Sequence, residues 1–198
     1  MNFLDEFGLS ASDAKVKISM SSIYDKSSQK ITSTIIPQKA DGSVDYINIR
    51  TYAFNASNNV RNEINGQRTI PDIKTIPANK ETPEYYYPRT FPNGTFDVGK
   101  SQPVSASNPN AKYLGEVFIP TTATQLVPTY GTKKPEPDSN GNFVSTNTQN
   151  DSAYGLHNSP GKTQGCIAFG SQVEANGFAD LSDKAIASGG KSKLSVGE

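Results

Sequence analysis

Proline and glycine interrupt this chain so often that only short regular elements fit between them. The 198 residues contain 13 prolines and 16 glycines, and a proline inside a helix removes a hydrogen bond and clashes with the preceding turn. The apolar runs that remain are short, and they alternate with polar residues or are rich in β-branched and aromatic side chains, as in strands. The sequence therefore predicts a mainly β fold.

Turn-forming residues separate the candidate strands. The predicted strands are residues 15–20, 30–36, 45–54, 95–99, 112–119, 125–130, 152–157 and 165–169. Reversals are expected at Asp41-Gly42, Asn93-Gly94 and Asn140-Gly141, because these pairs tolerate positive φ. The polar stretch 133–151 predicts a mobile surface loop, and the irregular stretch 55–80 predicts either a lid or a connection.

One long helix is predicted after the last strand. Ser171 followed by Glu174 has the spacing of a capping box, and Gly189-Gly190 marks the end of the helix. Four apolar side chains fall near one face, which we expect to pack on the sheet: Phe178, Leu181, Ala185 and Ile186. A shorter helix is predicted at residues 2–7.

Length, charge and cysteine content narrow the function classes. A chain of this size can bury a core as one domain without disulfides or metal. We expect a single domain over 1–198, with a poorly assigned β part at 1–84, a motif-bearing core at 85–170 and a helix and tail at 171–198.

The 19 Lys and Arg balance 19 Asp and Glu, so no nucleic-acid partner is expected. One His and one Cys cannot build a Cys/His zinc site without carboxylates, and neither metal nor cofactor is expected.

The only histidine and the only cysteine lie nine positions apart, at His157 and Cys166. Between them, Pro160 and Gly161 fit the central positions of a type II turn. Such a turn would fold the strand carrying His157 back beside the strand carrying Cys166. An imidazole within reach of a thiol favours the thiolate, which is the nucleophilic form. The pair therefore predicts a cysteine nucleophile with a histidine base.

Neighbouring residues supply the other parts such a site needs. Gly165 allows a substrate carbonyl to approach the backbone, and the amides near Gly165 and Cys166 are the expected oxyanion site. Thr163 is an auxiliary candidate whose hydroxyl would orient the imidazole or the substrate. The alternative is that Cys166 is an ordinary buried core residue, with Ile167 and Phe169 as ordinary strand residues next to it. Papain-like peptidases have their Cys before their His in the chain. Because His157 precedes Cys166 here, that class is disfavoured.

The segments Leu156-His157 and Thr163 to Ile167 resemble the active-site signature of YkuD-type L,D-transpeptidases, in which a His and an S/T-H-G-C-(V/I) run lie on adjacent strands. They are more similar still to the short-spaced L,D-transpeptidase-like toxins of type VI secretion. Residues 88–98 are similar to the family's P-x-G-x-(Y/F/W)-x-(V/I) strand. The resemblance covers roughly residues 85–169. It implies a compact β-sandwich or barrel-like L,D-transpeptidase-type domain with one helix after the catalytic strand and long polar loops.

The resemblance also implies a reaction. Cys166 would attack the carbonyl that follows an L-centre in a peptidoglycan stem peptide, with His157 as base, and the terminal D-residue would leave as a thioester forms. Water would then give an L,D-carboxypeptidase, whereas an amine would give a crosslink or exchange of a D-amino acid. Both outcomes stay open at this point.

Two positions depart from the family pattern. Gln164 replaces the usual His before Gly-Cys, and Ala168 replaces the Arg that commonly contacts the substrate carboxylate. Arg89 and Lys162 are the candidate replacements for that cation. Tyr87, at the end of three consecutive tyrosines, is a candidate to line a groove for glycan or stem peptide, and Gln164 is a further substrate-binding candidate.

The start of the chain and the implied substrate together suggest where the protein acts. Residues 1–7 lack the positive start and apolar run of a secretory signal, and no segment is long enough for a membrane span. The resemblance then implies delivery to the periplasm or cell wall by a secretion machine or phage particle, as an antibacterial effector with a cognate immunity protein. The alternative is a noncatalytic β domain of a secreted or phage particle that binds cell-wall peptides or another protein.

Overall fold

A nine-stranded sheet that curls into a half-barrel forms most of the structure, a computed structural model whose fold is mainly β, as the sequence predicts. The structure describes residues 16–58, 63–64, 67–68, 74–77, 83–86, 90–108, 111–131, 133, 136–141, 143–145, 147–158 and 165–197. Within these residues the strands are β1 (Ile18–Asp25), β2 (Lys30–Pro37), β3 (Arg50–Ser57), β4 (Glu63–Ile64), β5 (Gln67–Arg68), β6 (Lys74–Pro77), β7 (Pro83–Tyr86), β8 (Gly94–Asp97), β9 (Gln102–Pro103), β10 (Val117–Pro120), β11 (Gln125–Thr129), β12 (Asn147–Asp151), β13 (Gly155–Asn158), β14 (Ile167–Phe169) and β15 (Ser192–Gly197). The helices are α1 (Ala111–Leu114) and α2 (Gln172–Ala187), and a 3-10 turn covers Tyr46–Asn48.

The large sheet orders its strands β8, β15, β1, β2, β3, β14, β13, β10, β9. Neighbours run antiparallel except in two pairs, β1 with β15 and β13 with β14. The curl brings β8 towards β10, since Val98 after β8 bridges Thr121 after β10. A four-stranded sheet in the order β12, β11, β7, β6 and the pair β4 with β5 are separate from it. Strands from segment 1–84 and from the motif-bearing segment thus build one sheet.

Alternation along the strands separates a buried face from an exposed one. In β1, for example, Ile18, Met20, Ser22 and Tyr24 are buried, whereas Ser21 and Ile23 are exposed. Helix α2 covers this buried face. The Phe178 ring lies 5.6 Å from the Phe54 ring and 5.3 Å from the Phe169 ring, measured between centroids. Each such aromatic side chain contributes about 1.5–3 kcal/mol by burial.

Helix α2 begins and ends where its sequence signals place it. The Ser171 Oγ accepts a hydrogen bond from the Glu174 backbone N–H at 3.2 Å, and the Glu174 carboxylate accepts one from the Asn55 backbone N–H at 2.8 Å. The helix is therefore fixed to β3 at its first turn. It ends at Ala187, and Gly189, two residues later, has a φ of +81° that suits glycine. Within the described residues, no helix is long and apolar enough to cross a membrane.

Local turn chemistry overrides two of the strand predictions. The predicted strand 45–54 begins as the 3-10 turn, because the Asp45 carboxylate accepts from the Ile47 N–H, and becomes β3 only at Arg50. The predicted strand 112–119 is divided into α1 and β10. Gly115, with a φ of +68°, ends the helical turn between them.

Pairing between distant segments explains two further differences. Residues 147–151, predicted as part of a mobile loop, form the edge strand β12 beside β11. Edge pairing uses backbone groups, so the polar sequence of β12 gives no apolar alternation to read. Residues 192–197, predicted as a tail, form β15, which pairs with β1 on one side and with β8 on the other. Leu194 and Val196 are buried there.

The strands on either side of the His/Cys motif are neighbours, as predicted, but their direction is not that of a folded-back hairpin. β13 and β14 run parallel, with Leu156 opposite Ile167 and His157 opposite Ala168. Parallel neighbours need a connection that returns along the strand. The predicted turn at Pro160 and Gly161 lies outside the described residues.

Candidate active site

His157 lies inside β13, with a strand on each side. Phe118 of β10 is its partner on one side and Ala168 of β14 on the other. The side chain is 4% exposed. Burial lowers the pKa of His157 below its usual value of 6.5, and the hydrogen bond to the Asn158 carbonyl opposes this only in part. The imidazole is therefore neutral at pH 7.

The hydrogen bond to Asn158 also decides which ring nitrogen carries the proton. His157 Nδ1 lies 3.2 Å from the Asn158 carbonyl oxygen. A carbonyl can only accept, so Nδ1 is the donor and Nε2 keeps its lone pair. A neutral imidazole with a lone pair on Nε2 is the state that a general base requires.

Asn158 itself contacts neighbouring elements. The Asn158 Nδ2 donates to Gln172 Oε1 at 3.4 Å, and the same oxygen accepts from the Glu116 N–H at 3.1 Å. Gly115 passes so close that a Cβ there would lie 2.8 Å from the Asn158 carbonyl oxygen. The first residue of α2 therefore links the Asn158 side chain to the backbone just before β10.

Cys166 lies immediately before β14 and is partly exposed. Its Sγ lies 4.0 Å from the Ala153 carbonyl oxygen. Gly165 is buried with a φ of +107°, and Ala153 has a φ of +67°. A non-glycine residue in this region costs about 1–2 kcal/mol, so the surroundings must hold Ala153 there. The positive φ explains why Gly165 is glycine, and its oxyanion role stays a prediction.

The parallel register relates Cys166 to His157. Extending the pairing of β13 with β14 by one residue places Cys166 beside Gly155, two residues before His157 and on the same face of the sheet. Strand spacing then puts the two Cα atoms about 8 Å apart. Diagonal neighbours at such a distance are within reach of long or aromatic side chains. The register therefore puts Cys166 and His157 on neighbouring strands and on one face of the sheet, and contact between thiol and imidazole stays a prediction.

Three of the predicted site residues lie in this part of the sheet: His157, Gly165 and Cys166. The other five lie outside the described residues: Tyr87, Arg89, Lys162, Thr163 and Gln164. Their roles stay predictions. Ala168, where the family carries an arginine, is 2% exposed and pairs directly with His157.

Sequence reasoning missed the residues that surround the imidazole. Phe118 is its register partner, Gln172 accepts from the Asn158 side chain, Gly115 passes close to the Asn158 carbonyl, and Gly155 lies beside Cys166 in the extended register. Gly155 and Gly115 stand out in the sequence as glycines. Their importance depends on the register of β10, β13 and β14, which no single sequence reveals.

Among the residues that the structure describes, no group of three or more His, Cys, Asp or Glu side chains is placed to hold a metal ion. No protein-family model, curated protein or solved structure matches this chain. Function is therefore inferred from the geometry of this site and from the resemblance of its sequence motif.

Proposed function

We propose that this protein is a cysteine enzyme that acts on peptidoglycan stem peptides at an L,D bond, with Cys166 as nucleophile and His157 as base. The pairing of β13 with β14 is the observation that carries the proposal. It supports the proposal because Cys166, the residue just before β14, lies one strand away from the buried His157 of β13. The resemblance of the motif to L,D-transpeptidases supplies the substrate class.

The site residues suit each step of such a reaction. His157 Nε2 takes the proton from the Cys166 thiol, and the sulfur attacks the carbonyl carbon of the stem peptide. The carbon–nitrogen bond then breaks, the imidazolium returns its proton to the leaving amine, and a thioester remains on Cys166. Water or an amine resolves the thioester, giving carboxypeptidase or transpeptidase products.

The test is digestion of purified peptidoglycan and of isolated tetrapeptide muropeptides, with products identified by mass spectrometry. The wild type should release the terminal D-residue, or exchange it for an added D-amino acid. Cys166→Ala should be folded and inactive, and His157→Gln should lose most of the activity. Ser21→Ala, an exposed small-residue change on β1, is the matched control and should keep full activity. Equal turnover by the wild type and Cys166→Ala would overturn the proposal.

One observation favours a second candidate, a noncatalytic β domain that binds cell-wall peptides or another protein. Ala168 is buried and uncharged beside His157, where the family carries the arginine that contacts the substrate carboxylate. A domain of this kind should bind peptidoglycan without releasing product, and its binding should survive Cys166→Ala. Sedimentation with purified peptidoglycan, run beside the digestion, separates the two candidates.

The proposed reaction also implies where the protein acts and what role it has. An enzyme attacking stem peptides acts in the periplasm or cell wall, and we propose that it serves as an exported antibacterial effector with a cognate immunity protein. Growth arrest of a host that receives the wild type in its periplasm, with survival when Cys166→Ala is sent there, is the expected result. Equal growth in the two cases would count against an effector role.

A further inference from the structure

Phe118 lies beside the imidazole of His157 on the neighbouring strand β10. It is the register partner of His157 across the pair of β10 and β13. The two ring centroids are 6.4 Å apart and the planes are tilted by 31°. Phe118 is partly exposed, whereas His157 is buried.

Gly155 makes the position of the Phe118 ring possible. A Cβ at Gly155 would lie 2.4 Å and 2.6 Å from two atoms of that ring, and 2.7 Å from the Ile119 carbonyl oxygen. The ring therefore occupies the space that any other residue at position 155 would fill. Gly155 is also the residue beside Cys166 in the extended register. The ring thus lies along the face of the sheet that His157 and Cys166 share.

We propose that Phe118 is a positioning residue for His157: its ring, placed on Gly155, covers the imidazole and keeps it neutral, with Nδ1 directed at the Asn158 carbonyl. The proposal deepens the proposed function, on which it rests for the role of His157 as base. Without the ring, water would reach the imidazole and stabilise its charged form. The imidazole would also gain freedom to turn away from Asn158.

The elements packed against β13 were compared for titratable or charged side chains near the His157 imidazole. β10 brings no titratable side chain to it, and β14 brings Cys166 at its start. From α1, which also lies near β13, Tyr113 is exposed. From α2, the neutral amide of Gln172 reaches Asn158. Substitution of Phe118 therefore exposes the His157 imidazole to water without removing a charged side chain.

A second phenylalanine ring that lies against a glycine provides a matched control for Phe118→Ala. The Phe96 ring lies against Gly94, where a Cβ would be 3.1 Å from a ring atom. Phe96 is also partly exposed, and its strand β8 is at the edge of the large sheet. Phe96→Ala therefore removes a comparable ring, one that packs edge-on against Phe91.

The experiment is an NMR titration of the full chain with labelled histidine, in which His157 gives the only histidine signal. Phe118→Ala should raise the pKa of His157 towards 6.5, and Gly155→Ala should shift it the same way by displacing the ring. Phe118→Tyr, which keeps the ring, should restore the wild-type value, and Phe96→Ala should not change it. If muropeptide turnover is measurable, the acid limb of its pH profile should move with the NMR value.

Folding of each variant is checked by circular dichroism and thermal unfolding. An unchanged His157 pKa in folded Phe118→Ala would overturn the proposal, as would an equal shift in Phe96→Ala. Should Gly155→Ala fail to fold, Phe118→Ala and Phe118→Tyr decide by themselves. Absence of turnover in every variant would count against the proposed function, while the NMR values would still decide whether Phe118 positions His157.

Discussion

At the scale of single residues, every histidine or thiol signal of this protein comes from His157 or Cys166, because the chain contains one of each. The sequence predicts their chemistry, since a lone His and a lone Cys on either side of a Pro-Gly pair suggest a base and a nucleophile, and the roles stay a prediction. Their relative placement was not readable. It depends on a parallel register that brings residues 157 and 168 together, whereas the turn signal between them predicted a chain that folds straight back.

The buried neutral state of His157 makes stability depend on pH in a defined direction. Its pKa is lowered in the folded protein, so below about pH 6.5 the unfolded chain binds a proton that the folded chain does not. The free energy of unfolding should therefore fall as the pH drops through 6.5, until the folded-state pKa is reached.

Urea unfolding at intervals from pH 8 to pH 5 measures this dependence, with His157→Gln as the reference. The difference in unfolding free energy between the two proteins should change with pH in this window, to the disadvantage of the wild type at low pH. Parallel stability curves for the two proteins would show that His157 is not buried as a neutral group.

At the scale of elements, α2 was predictable because its signals are local. Ser171, Glu174 and Gly189 mark its ends by themselves, and of the four apolar positions predicted on one face, Phe178, Leu181 and Ala185 are buried, while Ile186 is partly exposed. The division of 112–119 at Gly115 shows where local signals mislead. Apolar and aromatic content suggested one strand, but a single glycine with positive φ separates a helical turn from β10.

The cap of α2 gives a quantitative expectation. Ser171→Ala removes the side-chain acceptor for the Glu174 N–H and should lower the free energy of unfolding by about 1 kcal/mol. Val173→Ala in the same turn changes a side chain that is 72% exposed and should have little effect. Thermal or urea unfolding of both variants measures the difference. Equal stability of Ser171→Ala and the wild type would mean that the cap contributes nothing.

At the scale of the whole molecule, the two ends of the described chain meet in the sheet. β15 lies between β8 and β1, so three segments that are distant in sequence depend on one another. Residues 192–197 were predicted as a tail, and their pairing with β1 and β8 could not be predicted, because pairing over such separations leaves no local trace in the sequence. The mainly β class could be predicted from composition, whereas the order of strands could not.

Substitution of a buried residue of β15 should therefore lower the free energy of unfolding far more than substitution of its exposed neighbour. Leu194 is fully buried, and Leu194→Ala should cost about 2–5 kcal/mol of unfolding free energy. Lys193→Ala breaks only an exposed ion pair with Asp97, and such pairs contribute little. Urea unfolding of the two variants compares them directly. A small effect of Leu194→Ala would show that β15 is not an integral strand of the sheet.

The central claim is that the Cys166 thiol is acylated by a stem peptide with the help of His157. Intact-protein mass spectrometry after rapid mixing with a tetrapeptide muropeptide tests it most directly. The account predicts that the wild type gains the mass of the muropeptide less its terminal D-residue, that hydroxylamine removes this added mass as expected of a thioester, and that Cys166→Ala gains none. The same added mass on Cys166→Ala, or unmodified wild type together with product release, would contradict it.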